Sequence, residues 1–334
     1  MVETVLVTGG TGFIGGWCIV ELLKRGYAVR TTMRDPSKEA AVRAIVAAGG
    51  ASAERLSFCI ADLMNDFGWD AAVAGCDRVL HVASPLGGNA APDAMLAAAR
   101  DGTLRVLQAA IRAGVKRVVM TSAAAAARTP MRSRKVSDET VWANPAEKRF
   151  DGYRRSKILA ERAAWDFMAG KSMEFTTILP GAVFGPVLSN EAMSSVQIVA
   201  GLLQGRPAAI PKLGFWIVDV RDLADLHIRA MIAPEAADQR FIATGDFMWM
   251  IDIAKTLRAR LGKRAAKVPT RVLPNAVARL LALFSPQLKA LAPELGRRND
   301  VTSAKARRML GFAPRPAADT LADCAESVLG GKPG

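Results

Sequence analysis

The sequence has few of the residues from which metal centres and disulfide frameworks are built. Its 334 residues include only two histidines, His81 and His227, and four cysteines. The cysteines show no CxxC spacing: Cys18, Cys59, Cys76 and Cys324. With so few ligands, and none at a metal-binding spacing, we predict no metal site and expect reduced, mostly buried thiols.

The chain also lacks a long apolar run. No uncharged stretch approaches the roughly 20 residues that a membrane span needs. A glycine-rich segment is reached within the first ten residues, which leaves no room before it for a charged and apolar leader. We therefore expect a soluble, unprocessed, cytoplasmic protein without membrane contacts. A hydrophobic content of 51% is sufficient for one large domain or two smaller ones.

Positive charge is in excess, and much of it lies near the C-terminus. The net charge is +14, and residues 246–334 contain 16 Lys and Arg against 7 Asp and Glu. No basic run is interleaved with aromatic residues, and no nucleic-acid-binding signature occurs. We expect no nucleic-acid partner. A basic solvated surface is the first explanation of the charge, and an acidic cofactor or substrate is the second.

A glycine-rich turn follows the first predicted strand. The apolar run at 5–8 leads into Gly9-Gly10-Thr11-Gly12-Phe13-Ile14-Gly15, after which apolar residues recur at helical spacing. The glycines of a strand–turn–helix unit let the backbone approach a pyrophosphate, and the helix N-terminus offers it free N–H groups. We assign five residues here to a dinucleotide site: Gly9, Gly12, Phe13, Ile14 and Gly15.

The end of the second strand, predicted at 28–33, indicates which dinucleotide binds. A carboxylate at this position would bind the ribose 2′-hydroxyl, whereas Arg34, with Lys38 and Arg30 nearby, suits a 2′-phosphate. Asp35 complicates this interpretation, but it lies one position later and before a proline, where it can cap the turn. The pattern favours NADPH over NADH.

Further strands are predicted at 56–60, 78–83, 117–121 and 174–179, with helical segments between them. This alternation predicts an α/β fold with a doubly wound, parallel Rossmann sheet. Ligands of such sheets bind beyond the carboxyl ends of the strands. We expect cofactor contacts at the ends of three strands: Asp62, Leu63, Val82, Ala83, Ser84, Pro180 and Val183. We interpret His81, within a strand, as a core residue, and we expect the small residues of 84–88 to lie against the cofactor.

The sequence changes character after Gly185. Helices are predicted at about 190–203 and 222–231, a strand at 215–220, and one more strand of the main sheet at 240–245. Short helices punctuated by prolines follow. We therefore predict a dinucleotide-binding domain at 1–185 to which 217–245 return. Residues 186–216 and 246–334 are predicted to form a smaller, mostly helical substrate lobe.

One of the only two tyrosines lies four residues before a lysine. Tyr153 and Lys157 open a predicted amphipathic helix, and this spacing places them on one face. A nearby ammonium favours the tyrosinate, so Lys157 is expected to lower the pKa of Tyr153 and make it an acid that protonates a carbonyl oxygen. A surface helix with an exposed lysine is the structural alternative.

Several motifs in this order match one known family. The matching segments are Val7-Thr8-Gly9-Gly10-Thr11-Gly12-Phe13-Ile14-Gly15, Arg34-Asp35-Pro36, His81-Val82-Ala83-Ser84-Pro85, Tyr153 with Lys157, Pro180-Gly181 with Gly185-Pro186, and Val218-Asp219-Val220-Arg221-Asp222-Leu223-Ala224. Over essentially its whole length the chain resembles the extended short-chain dehydrogenases/reductases. Within them it is similar to the dihydroflavonol 4-reductase, cinnamoyl-CoA reductase and aldehyde reductase group.

The resemblance implies reduction of a ketone or aldehyde that is bulky and aromatic or flavonoid-like. NADPH would deliver the hydride, and Tyr153 would protonate the oxygen. In that family the equivalent of Lys157 also binds the nicotinamide ribose, and Arg34 falls on the 2′-phosphate position. We expect a small-molecule carbonyl substrate and a monomer or homodimer.

The chain departs from the family pattern at the end of the fifth strand. The family reads Thr-Ser-Ser, and its last serine holds the substrate oxygen, whereas this chain reads Thr121-Ser122-Ala123. Either Ser122 takes over this catalytic contact or the third member is missing. Ser122 can do so only if the chain has already left strand geometry, because adjacent strand residues face opposite sides.

The cinnamoyl-CoA reductase signature around the tyrosine is absent, which argues against a CoA thioester as the substrate.

Two other functions remain open. A sugar-nucleotide epimerase or dehydratase would use the same scaffold, and the Arg-rich C-terminal segment is compatible with it, although Arg34 is not typical of it. A non-catalytic NADPH-binding sensor is compatible with Ala123, although the Tyr153–Lys157 pair argues against it.

Overall fold

The computed structural model describes residues 2–84, 92–131, 133–189, 195–285, 289 and 291–330. The strands are β1 (Thr4–Thr8), β2 (Ala28–Met33), β3 (Leu56–Ile60), β4 (Arg78–His81), β5 (Arg117–Thr121), β6 (Glu174–Pro180), β7 (Ala182–Phe184), β8 (Ile210–Pro211), β9 (Gly214–Asp219), β10 (Arg240–Ala243), β11 (Phe247–Trp249) and β12 (Val272–Leu273). The strands predicted from the sequence are present, with shifts of a few residues at their ends.

The described helices lie between and after these strands. They are α1 (Phe13–Lys24), α2 (Glu39–Ala48), α3 (Trp69–Val73), α4 (Pro92–Arg112), α5 (Gly152–Met168), α6 (Val196–Leu203), α7 (Val220–Ile232), α8 (Met250–Leu261), α9 (Asn275–Leu281), α10 (Ala304–Leu310) and α11 (Ala317–Gly330). No helix in the described ranges is long and apolar enough to cross a membrane.

Seven strands form one parallel sheet, in the order β10-β6-β5-β4-β1-β2-β3. Its central strands are almost continuously apolar and buried, as expected when helices cover both faces. Helix α1 packs against α7, and α4 packs against α5. The predicted doubly wound Rossmann fold is confirmed, including the return of residues 240–243 to the main sheet.

A second, three-stranded sheet has the order β11-β9-β7. It begins directly after the main sheet, because only Gly181 separates β6 from β7. A Cβ at Gly181 would collide with the carbonyl oxygen of Trp216 in β9, so the two segments are in close contact. Strand β9 was assigned from residue 217 onward to the dinucleotide-binding domain. The structure pairs β9 with β7 and β11, and this domain assignment stays a prediction.

Two predicted segments fall partly outside the described residues. The cofactor-contacting loop at 84–88 is described only at Ser84. The helix predicted at 190–203 is described as α6, from Val196. The proposed domain boundaries remain a prediction.

Candidate active site

A backbone hydrogen bond closes the glycine turn between β1 and α1. The Gly12 amide donates to the Gly9 carbonyl at 2.9 Å, and Gly9 has a φ of +76°, which favours glycine. A Cβ at Gly15 would collide with the Gly9 carbonyl oxygen. The first turn of α1 therefore packs directly on the loop, and this contact requires a glycine at position 15.

The same turn fits a dinucleotide pyrophosphate. Helix α1 begins at Phe13 after Gly12, which has no side chain to cap the first N–H groups, and its first turn contains no acidic residue. The helix N-terminus therefore presents N–H groups and a positive partial charge to an anion. Phe13 and Ile14 are partly buried against the main core. This cradle of backbone donors is consistent with the predicted dinucleotide site.

The exit of β4 lies against the glycine turn. A Cβ at Gly9 would lie 2.9 Å from the Ala83 Cα, and the Ala83 amide donates to the Thr8 hydroxyl at 3.0 Å. His81 lies 2.9 Å from the same hydroxyl and is buried, and burial lowers its pKa to about 3. It is a neutral core histidine, as predicted. Val82 and Ser84 are partly exposed beside Ala83.

The end of β2 carries the residues expected to select the cofactor. Arg34 is exposed and forms no hydrogen bond or ion pair with any described residue. Asp35 caps the turn that follows it, accepting from the Ser37 amide at 2.9 Å and the Ser37 hydroxyl at 2.7 Å. Lys38 is exposed in the same turn. Arg30 does not join this group, because it donates to carbonyls at the end of α3.

The remaining predicted cofactor residues differ in how accessible they are. Asp62 accepts from the Met64 amide at 3.0 Å through one carboxylate oxygen. Leu63 packs against α4, and its carbonyl accepts from Arg105 at 2.8 Å. Pro180 and Val183 are buried on either side of Gly181. Asp62 and Leu63 are therefore half-buried, whereas Pro180 and Val183 are buried.

Lys157 is held at the end of β5. Its Nζ donates to the Thr121 carbonyl at 2.9 Å, and the side chain is buried. Burial lowers the pKa of Lys157 from 10.5 to about 8, while the carboxylate of Glu161 raises it. The ammonium is thus fixed at the carboxyl end of β5.

Tyr153 lies one helical turn before Lys157 and is 37% exposed. Its hydroxyl has no hydrogen-bond partner among the described residues. Burial of the phenol and the charge of Asp151 raise its pKa to about 12. The expectation that Lys157 lowers this pKa is therefore wrong for this structure, because the ammonium is directed to the Thr121 carbonyl.

Ser122 is turned away from the predicted catalytic position. Its hydroxyl donates to Glu161 Oε2 at 2.6 Å, and the residue is 1% exposed. Its amide donates to the Ile178 carbonyl, and Ala123 has extended torsions (φ −153°, ψ 149°). The condition for Ser122 to contact substrate was an early departure from strand geometry. Strand β5 ends at Thr121 and the torsions are still extended at Ala123, while the Ser122 hydroxyl is occupied by Glu161, so its catalytic role stays a prediction.

A buried polar cluster around Glu161 was not predicted from the sequence. It joins α5 to three strands, and its members are Glu161, Ser122, Thr177 and Arg240. Glu161 continues the four-residue series that contains Tyr153 and Lys157, so spacing alone placed it on the same face. Nothing in the sequence distinguished it from a solvent-exposed glutamate.

Aromatic side chains lie in the second sheet, beside Gly181. Trp216, Phe247 and Trp249, which we call the aromatic row, are partly exposed and pack edge to face. Arg298 lies over the rings of Trp216 and Phe247, at 5.5 and 4.9 Å from their centroids. The aromatic row therefore forms a wall close to the end of β6.

The four cysteines are free, and three of them are buried, as expected.

Together, the glycine cradle, the parallel sheet and the buried lysine define a dinucleotide-dependent enzyme. Residues 5–243 match the model of the NAD dependent epimerase/dehydratase family. The chain belongs to this family, the extended short-chain dehydrogenases/reductases, and is an NAD(P)-dependent oxidoreductase.

Reductases are prominent among its relatives. The chain is 37% identical over 260 residues to cinnamoyl-CoA reductase 1 of Oryza sativa subsp. japonica, covering 77% of this chain and 75% of that one. It is 35% identical over 265 residues to dihydroflavonol 4-reductase of Dianthus caryophyllus, covering 77% and 73%. The solved structure of yeast methylglyoxal/isovaleraldehyde reductase Gre2 complexed with NADPH is 25% identical, with a TM-score of 0.82 over 98% of both chains.

Proposed function

We propose that the protein is an NADPH-dependent carbonyl reductase that acts on a bulky aromatic ketone or aldehyde, with Tyr153 as the proton donor. The observation that carries this proposal is the anchoring of Lys157 on the Thr121 carbonyl. It fixes the lysine at the carboxyl end of β5. One turn earlier on α5, Tyr153 is partly exposed, and its hydroxyl has no hydrogen-bond partner among the described residues.

The side chains have distinct roles in this reaction. NADPH, when bound, supplies the hydride that reduces the carbonyl carbon. The hydroxyl of Tyr153 protonates the carbonyl oxygen, and its raised pKa keeps it protonated at neutral pH. The Lys157 ammonium, held by the Thr121 carbonyl, binds the nicotinamide ribose. The N-terminus of α1 binds the pyrophosphate.

Arg34 supports NADPH over NADH. Its exposed guanidinium has no ion pair with a described residue, so it is available for a bidentate contact with the 2′-phosphate. Asp35, the competing carboxylate, is occupied by Ser37. The yeast relative was solved with NADPH, which is consistent with this choice.

The aromatic row supports a bulky aromatic substrate. It follows the close contact between Gly181 and Trp216, so it lies near the carboxyl end of β6, where the substrate of a Rossmann enzyme is expected. Partly exposed aromatic side chains offer a large, rigid surface to a planar ligand. The curated relatives named above are reductases of cinnamoyl-CoA and dihydroflavonol, and both of those substrates contain aromatic rings.

The arginines near the site do not favour a nucleotide-sugar substrate. Arg128 follows the β5 exit, but it donates to Glu294 at 3.0 Å. Arg149 lies 3.1 Å from Glu147 in an ion pair. A diphosphate would have to displace these carboxylates. The geometry therefore supports the reductase over an epimerase.

The decisive experiment is Tyr153→Phe, assayed by NADPH oxidation against aromatic aldehydes, diketones and dihydroflavonols. Loss of a positioned general acid should lower kcat by at least about a hundredfold, while NADPH still binds. Tyr27→Phe is the matched control, because Tyr27 is the only other tyrosine and lies just before β2, away from the cleft. A Tyr153→Phe enzyme that retains most of the wild-type rate would refute the mechanism.

A further inference from the structure

One buried carboxylate connects the catalytic helix to the sheet. Glu161 lies on α5, one turn after Lys157, and is fully buried. Its Oε2 accepts at 2.6 Å from the hydroxyl of Ser122, the residue directly after β5. Its Oε1 accepts from the Thr177 hydroxyl of β6 at 2.8 Å. A single side chain on α5 is thus bonded to two adjacent strands.

A third strand completes the cluster. Arg240 of β10 donates through Nε to Glu161 Oε1 at 2.9 Å, and the ion pair is buried on both sides. The same guanidinium donates to the carbonyls of Glu139 and Val141, and it stacks on Trp142 at 3.7 Å from the ring centroid. Arg240 therefore cannot move to follow Glu161 without breaking several other contacts.

We propose that Glu161 is a positioning residue of the reductase, which fixes the rotation and height of α5 and keeps Lys157 charged at the β5 exit. This inference rests on the proposed function, because it acts through Tyr153 and Lys157. Its three hydrogen-bonding partners lie on β6, on β10 and at the residue directly after β5, all in one sheet, so the register of the helix is defined at the turn adjacent to the reacting groups.

The charge of Glu161 affects the pKa of Lys157. The ammonium is surrounded by the Glu161 carboxylate of α5, the Thr121 carbonyl of β5, His81 of β4 and His227 of α7. Arg240 lies behind Glu161. Both histidines are kept neutral by burial. Glu161 is therefore the anionic group that opposes the effect of burial on the pKa of Lys157.

The test separates the charge of Glu161 from its shape by comparing pH profiles of kcat. Glu161→Gln keeps the shape and removes the charge. The alkaline limb of the kcat profile, where Lys157 loses its proton, should then move to lower pH by about one pH unit, as expected for loss of a unit charge one helical turn away. Glu161→Asp keeps the charge but shortens the side chain. It should lower kcat while its alkaline limb stays near that of the wild type.

Two further variants control for folding. Glu161→Gln leaves Arg240 buried without its anion, which is strongly destabilising. The double variant Glu161→Gln/Arg240→Gln removes both charges and should show the same shift of the alkaline limb. Arg117→Gln breaks another ion pair, which the buried Arg117 at the start of β5 forms with the half-exposed Glu174 at the start of β6. It should lower stability but leave the pH profile in place.

The outcomes distinguish this inference from the function on which it rests. If wild-type protein reduces no carbonyl, or if Tyr153→Phe remains active, the proposed function fails. If the wild type is active and Tyr153→Phe is not, an alkaline limb that is unchanged in both the Glu161→Gln and the double variant overturns the role of Glu161. An equal shift in Arg117→Gln would also overturn it, because the shift would then report only loss of stability.

Discussion

Replacing Lys157 with methionine should make the protein more stable and less active. The side chain is buried, and burial lowers its pKa from 10.5 to about 8. This displacement means that a charged Lys157 is less favourable in the folded protein than in the unfolded chain. Methionine has a similar length and no charge, so it removes this unfavourable contribution.

The magnitude follows from the displacement of the pKa. A change from 10.5 to about 8 corresponds to about 3 kcal/mol of unfavourable free energy at neutral pH. The variant also loses the hydrogen bond to the Thr121 carbonyl, a charged donor worth about 1.5–3 kcal/mol. The first contribution outweighs the second, so Lys157→Met should raise the free energy of unfolding at pH 7 by on the order of 1 kcal/mol.

The effect depends on pH with a definite sign. Between about pH 8 and pH 10.5 the unfolded chain holds a proton on Lys157 that the folded protein has released. The stability of the wild type therefore rises with pH across this range. The advantage of the variant should be largest below pH 8 and should disappear as the pH approaches 10.5.

Urea unfolding of the wild type and of Lys157→Met at pH 7 and pH 9.5 measures the difference in their free energies of unfolding. NADPH titration and turnover are measured on the same two proteins. Turnover and NADPH affinity should both fall, because Lys157 is proposed to support Tyr153 and the nicotinamide ribose. Lys267→Met, at an exposed position, is the control and should change neither stability nor turnover. An advantage that is the same at pH 7 and pH 9.5, or a less stable variant at both, would refute the reasoning.

Three further outcomes are expected. Arg34→Ala should weaken NADPH binding by about ten- to a hundredfold and leave NADH binding unchanged, as measured by titration with each cofactor; an unchanged ratio of the two would contradict the assignment. Ser122→Ala should destabilise the protein by about 2 kcal/mol in urea but lower kcat less than tenfold, because its hydroxyl serves Glu161; a hundredfold loss would mean that the hydroxyl reaches the substrate. His227, kept neutral by burial with its pKa near 4, should make the protein less stable as the pH falls from about 6.5 to 4; in acid titrations followed by circular dichroism, His227→Gln should weaken this dependence.

Local patterns were sufficient to predict the main sheet, whereas the cofactor residues assigned to its strand ends stay a prediction. The glycine turn, the strand ends and the spacing of Tyr153 and Lys157 are short-range features, and each has a physical requirement that few residue types satisfy. The Rossmann order of the sheet then follows from the handedness of successive β–α units. The return of β10 to this sheet was also predicted, from a short apolar strand pattern.

Long-range contacts were not predictable in this way. Arg30 and Arg34 are equally basic and lie four residues apart, but only Arg30 reaches the carbonyls at the end of α3. The pairing of β9 with β7 and β11 joins segments about 30 residues apart on either side of it. The direction of the Lys157 ammonium depends on where the Thr121 carbonyl lies in three dimensions. The sequence specifies which groups are present, whereas the partner of each group depends on which groups the fold brings together.

The residues at the end of β5 show how one substitution can alter catalysis without altering the fold. Because the backbone stays extended through Ala123, residues 122 and 123 face opposite sides of the strand. The side occupied by Ser122 holds Glu161 and therefore the catalytic helix. A serine at 123 would face away from Glu161, so its absence leaves the helix anchor intact. In the proposed mechanism, the absence of that hydroxyl affects only the chemistry, and protonation of the substrate oxygen would depend on Tyr153 alone among the predicted catalytic residues.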